Sequence, residues 1–165
     1  MNKAISLFDS ASDYFHDWYC INDTVMGGKS ASQVEKLADG KLRWSGEVSL
    51  LNGGGFTSVR LALPATDLSS FDGICLYVKG DGHTYKLNLA NDSGSAQPRF
   101  QARFDTTGAY QEVKIPFRQL EASVRGRSSA AHFDPSHLVQ VGFLIADRQA
   151  GAFQLIVEKI EAYAD

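Results

Sequence analysis

Apolar residues fall on every second position through most of this chain. That period of two, the repeat of a strand buried on one face, constrains the fold more than any other feature. In "KLRWSGEVSL" (Lys41 to Leu50) the alternating set is Leu42, Trp44, Gly46, Val48 and Leu50. "GFTSVRLAL" carries Phe56, Val59, Leu61 and Leu63; its alternation slips once near Ser58, where a β-bulge would account for it. "GICLYVKG", "TYKLNLA", "PRFQARF", "YQEVKIP", "LVQVGFLIA" and "AFQLIVEKI" continue the pattern toward the C-terminus. About ten antiparallel strands packed as a sandwich follow from this count. Helix is limited to a turn or two, in "PFRQLEA" after Pro116 and "DPSHL" after Asp134.

The segments between strands carry turn chemistry. "ADGK" (Ala38 to Lys41) reads as an Asp-Gly hairpin of type I′, and "KGDGH" (Lys79 to His83) reads likewise. "NDSGS" and "DTTG" mark further turns. Fifteen glycines against four prolines fit strands joined by tight turns. With no repeat and no composition shift, residues 1–165 read as a single domain.

Composition excludes several functions. Net charge is -3, which opposes broad nucleic-acid binding through phosphate neutralisation. No apolar run approaches a membrane span, and Asp9 and Asp13 interrupt any signal-like segment. The chain reads as cytoplasmic. Cys20 and Cys75 stand apart from any Cys/His cluster and read as buried, reduced thiols, with a single long-range disulfide as the alternative. His16, His83, His132 and His137 fit no zinc spacing, and no dense acidic run marks a calcium loop, so no cofactor is expected. Neither a G-x-S-x-G elbow nor an H-E-x-x-H helix is present, and no residues are expected to be catalytic.

Binding residues are read from strand faces and loops. Phe100 and Phe104 point one way in "PRFQARF", leaving Arg99, Gln101 and Arg103 on the other side. Lys86 and Asn88 share the polar side of "TYKLNLA", and Arg60 opposes Val59 and Leu61. If these strands are neighbours, Arg60, Gln101 and Arg103 line one polar sheet face that is either simply solvated or a docking platform. Three loops add candidates: Asn22, Asp23 and Met26 in "INDTVMGGKS", Arg125 and Arg127 in "VRGRS", and Asp147 and Arg148 in "ADRQAGAF". "NGGGF" lacks the lysine and the following helix of a phosphate loop and reads as a turn. Trp18, Trp44, Tyr77, Tyr85 and Tyr110 are the aromatics available for stacking, although Trp44 is in phase with the core.

Several of these segments also resemble a known family when taken in order. "NDTVMGGKS", "WSGEVSLLNGGGFTSVR", "GICLYVKGDGHTYKLNL", "YQEVKIPF", "RGR" and "ADRQAGAFQLIVEKIEAY" resemble the complex I intermediate-associated protein 30 family. The resemblance runs from about Trp18 to Tyr163. It implies a galactose-binding-domain-like β-sandwich of jelly-roll type. It also implies a non-catalytic protein-binding module, an assembly factor or chaperone for respiratory NADH:ubiquinone oxidoreductase, with a subunit of that complex as partner. The same scaffold serves carbohydrate-binding modules, so carbohydrate is the alternative ligand.

Overall fold

The computed structural model describes residues 3–11, 17–22, 28–51, 55–94 and 96–165. Among these residues thirteen strands form two sheets, and every pairing is antiparallel. They are β1 (Lys3–Phe8), β2 (Trp18–Asn22), β3 (Ala31–Lys36), β4 (Leu42–Val48), β5 (Thr57–Thr66), β6 (Gly73–Lys79) and β7 (Thr84–Ala90). They continue with β8 (Arg99–Asp105), β9 (Tyr110–Pro116), β10 (Glu121–Val124), β11 (Arg127–Ser128), β12 (Leu138–Ile145) and β13 (Gly151–Ala164). The first sheet has the order β3-β4-β13-β6-β9, with β1 also paired to β13. The second has the order β11-β10-β8-β7-β12-β5-β2. The all-β antiparallel sandwich expected from the alternation, of the jelly-roll type that the resemblance implies, is the observed architecture. Among the described residues a short helical element, a 3-10 turn, spans Phe117–Gln119 after Pro116, while the segment after Asp134 forms only a turn.

The apolar phase of each strand points between the sheets. Trp44 and Phe153 of the first sheet meet edge to face, with centroids 4.8 Å apart. Trp44 also touches Tyr85 of the second sheet, which stacks on Phe104 at 6.1 Å. Fully burying each such ring stabilises the fold by about 2 kcal/mol. Trp44 is therefore core, as its phase indicated. Both cysteines are free thiols. Burial raises the pKa of each, Cys75 to about 11, so neither is a ready nucleophile.

Two turn readings and one bulge reading are corrected by the structure. In "ADGK" only Gly40 has positive φ (88°), not Asp39, so the β3–β4 connection is not type I′. Gly40 N–H instead closes a turn on Leu37 O at 2.9 Å, and the glycine takes the left-handed step after it. The Asp39 carboxylate accepts the Lys41 N–H and helps hold this shape. "KGDGH" is not a hairpin at all. It carries the chain from β6 in one sheet to β7 in the other, because β6 pairs with β9 and β13 while β7 pairs with β8 and β12. Near Ser58 the ladder is regular; the irregularity of β12–β5 lies at the other end, between Leu138 and Gln140.

The crossing from β6 to β7 is fastened by Asp81. Its carboxylate accepts the Gln154 N–H at 2.7 Å and the Tyr85 hydroxyl at 2.9 Å, and His83 Nδ1 lies 2.9 Å away. Burial alone would raise this carboxyl pKa. The hydrogen bonds from Gln154, His83 and Tyr85 outweigh it and hold the pKa below the ordinary carboxylate value.

Candidate functional site

The second sheet turns its polar phase away from the core, and the registers align that phase into rows. One row crosses six strands: Tyr19, Arg60, Gly142, Asn88, Gln101 and Glu121 are successive partners. A second row holds Ile21, Ser58, Leu144, Lys86 and Arg103. Arg60, Gln101 and Arg103 thus lie on one face, which the sequence offered only on condition that their strands be neighbours. At the β8–β10 side the face opens into a groove of about 570 Å³, lined by Lys86, Gln101, Arg103, Arg118, Glu121 and Ser123 among others.

The floor of this face is well bonded. Asn88 is 4% exposed and accepts a hydrogen bond from Gln101 Nε2 at 3.3 Å. Gln140, 2% exposed, donates from Nε2 to the Tyr19 hydroxyl at 2.8 Å. Tyr19 itself is 41% exposed, the one large aromatic that these rows leave open to solvent. At Gly142 the floor is bare backbone. A Cβ there would come within 2.2 Å of Val59 O, so the close strand approach requires glycine.

Cations on the face differ in how they are satisfied. Arg103 forms a forked pair with Asp147, Nε to Oδ2 at 3.1 Å and Nη2 to Oδ1 at 3.2 Å, and Lys86 Nζ lies 3.8 Å from the same carboxylate. Asp147 reaches them from the turn between β12 and β13, where both it and Arg148 have φ of 61°. That left-handed backbone is costly outside glycine. Gln149 braces the turn, accepting the Thr84 N–H at 2.9 Å and donating to Thr84 O at 2.7 Å. Arg99 is 8% exposed and serves the loop before it: Nη1 donates to the carbonyls of Asp92 and Gly94, and Nη2 to that of Ser93. Its Nε has no partner. Arg60 Nε is also buried without a partner, and among the described residues Arg60 forms no ion pair.

The remaining candidates fall elsewhere. Asn22 sits in the phase of Trp18 and Cys20 and accepts the Ser32 hydroxyl at 2.7 Å, bridging toward β3. Asp23 and Met26 lie outside the described residues. Arg125 and Gly126 form the β10–β11 turn with φ of 51° and 82°, a type I′ pair at the sheet's edge. Arg127 and Arg148 are exposed there and at the β12–β13 turn. Sequence reasoning passed over Tyr19 and Gln140. The β-branched and aromatic run "WYCI" was the available signal for a strand that would present Tyr19. Among the described residues no group of His, Cys, Asp or Glu is arranged to hold a metal, and no helix is long and apolar enough to cross a membrane.

Solved structures similar to this one include carbohydrate-binding modules and agarases. The family 11 module of a cellulosomal cellulase from Clostridium thermocellum superposes with a TM-score of 0.73 at 15% identity, covering 97% of this chain and 94% of its own. A family 29 carbohydrate-binding module superposes at 0.58 with 9% identity, covering 99% and 92%. In sequence, the mouse mitochondrial complex I intermediate-associated protein 30 is 31% identical over 106 residues, 60% of this chain. That match spans only 32% of the mouse protein's length. The family profile of complex I intermediate-associated protein 30 matches residues 7–157, nearly the whole chain, and the protein belongs to that family.

Proposed function

We propose that this chain is a non-catalytic binding module that holds a protein partner on the polar face of its second sheet, in the assembly of respiratory NADH:ubiquinone oxidoreductase. The observation that carries this reading is the aligned row from Tyr19 to Glu121. Seven strands at about 4.8 Å spacing make the face roughly 29 Å wide, the scale of one side of a standard protein interface. The name of the mouse relative supplies the assembly context. Affinity capture from the native host with the wild type and with an Arg60→Glu/Gln101→Ala variant tests it. Respiratory-complex subunits are expected with the wild type and lost with the variant. Recovery of none by the wild type overturns the reading.

A second reading, carbohydrate binding, is favoured by one observation. Tyr19 presents an open ring beside Arg60, the arrangement in which a sugar stacks on an aromatic and bonds to a flanking polar group. Calorimetry with a mixed-linked β-glucan tetrasaccharide, on wild type and Tyr19→Ala, decides it. No heat at millimolar sugar removes this alternative.

A further inference from the structure

The unsatisfied end of the polar face has chemistry that names its ligand. Arg60 projects from β5 in the row of Tyr19 and Gly142, and its buried Nε has no acceptor. Arg99, nine-tenths buried, spends its terminal nitrogens on loop carbonyls and leaves Nε without an acceptor. The two guanidinium groups feel one another. Burial first, then the charge of Arg60, holds the Arg99 pKa below its ordinary value. Arg60 lacks any counter-ion among the described residues, so its positive charge is left locally uncompensated. The carboxylate of Asp147 is already committed to Arg103 and Lys86.

Resting on the protein-docking reading above, we infer that the Arg60 end of the face receives an Asp or Glu side chain from an extended acidic segment of the partner. A carboxylate matches guanidinium geometry by forked hydrogen bonds, and Arg60 has no acid among the described residues to compete for it. Tyr19 flanks the site with an open ring that packs against the aliphatic part of the incoming side chain. Arg60 on β5 and Gln101 on β8 are three strand spacings apart, about 14 Å. An extended segment rises about 3.4 Å per residue, so an acid at position i over Arg60 places residue i+4 over Gln101.

The test is an NMR titration of the full chain with two blocked pentapeptides, Glu-Gly-Ser-Gly-Gln and its counterpart with Gln first. The expected result is binding of the Glu peptide, with shifts centred on Tyr19, Arg60 and Asn88. The Gln peptide should bind at least about tenfold more weakly. Arg60→Gln should weaken the Glu peptide by about 30-fold or more. Arg43→Gln makes the same net-charge change on the other sheet, where Arg43 pairs with Glu35; it should leave binding unaltered. Equal binding of both peptides on the face, or indifference to Arg60→Gln, overturns the inference and leaves the docking reading standing. Equal weakening by Arg43→Gln overturns it as general charge attraction. Arg60-dependent binding of trigalacturonate with neither peptide bound overturns both, and assigns the carboxylate to an acidic sugar. No binding of any probe overturns the inference, and partner capture alone then judges the docking reading.

Discussion

The two ends of the polar face carry the same residue type in opposite states. At one end Arg103 and Lys86 share Asp147, delivered by a turn that keeps two non-glycine residues left-handed. At the other end Arg60 meets Gly142 and Tyr19 across the ladder and finds no acid among the described residues. The closed end uses its charge within the molecule, holding β8, β7 and the β12–β13 turn together. The open end keeps its charge available. A count of arginines would treat the two alike; the fate of each nitrogen separates a strut from a contact point.

Four changes break or sharpen this contrast. Asp81→Ala removes the support behind the closed end, leaving the Gln154 N–H without its acceptor. It is expected to cost about 3 kcal/mol at neutral pH, read by urea denaturation. The Asp81 pKa is lowered by folding, so its contribution is full above the ordinary carboxylate value of 3.8 and is lost as pH falls below it. The gap between wild type and variant therefore narrows on acidification; a gap that widens would refute the assignment. Gly142→Ala, midway between the ends, forces a Cβ onto the Val59 carbonyl and is expected to cost about 2 kcal/mol. Thermal unfolding measures it, and a neutral result means the strands part easily there. Arg148→Asn leaves the ion pairs intact and eases one left-handed residue, for a gain of about 0.5 kcal/mol in the same assay. Asp147→Asn makes the ends alike. The Arg103–Asp147 pair is well exposed, so stability should move by less than about 0.5 kcal/mol. Binding of the Glu peptide should nevertheless strengthen, because Arg103 and Lys86 become free cations. Unchanged binding would mean that the ends do not communicate through charge.

Much of the sandwich is legible in the alternation alone. Phe100, Ala102 and Phe104 pack inward while Gln101 and Arg103 stay outward, and Tyr85, Leu87 and Leu89 behave the same way. The path between sheets is not legible. "KGDGH" has the glycines and the aspartate of a hairpin, and local chemistry is the same whether the chain doubles back or crosses the core. The choice is made by distant partners, β9 and β13 for one strand, β8 and β12 for the next. The site divides similarly. Strand phase places Arg60, Gln101 and Arg103 on one side, but their adjacency depends on β7 and β12 lying between β8 and β5. Tyr19 was missed because "WYCIN" contains no polar alternation to betray its faces. That Arg99 would be consumed by carbonyls of the preceding loop depends on a loop conformation that no spacing reveals.

The position of β13 has a consequence for how the chain finds its fold. This strand lies between β4 and β6 in the first sheet and also pairs with β1, joining Lys3 to Ala164. Until it docks, β3–β4 and β6–β9 are two separate ribbons with bare edges, and β1 has no partner. Closing contacts over such separations is slow, on the order of milliseconds to seconds for sheet proteins. A nascent chain would therefore expose pairing-competent edges until Gly151–Ala164 has left the ribosome. The first sheet is completed in a single late event, and a synthetic peptide of that strand is the natural inhibitor with which to catch the half-built protein.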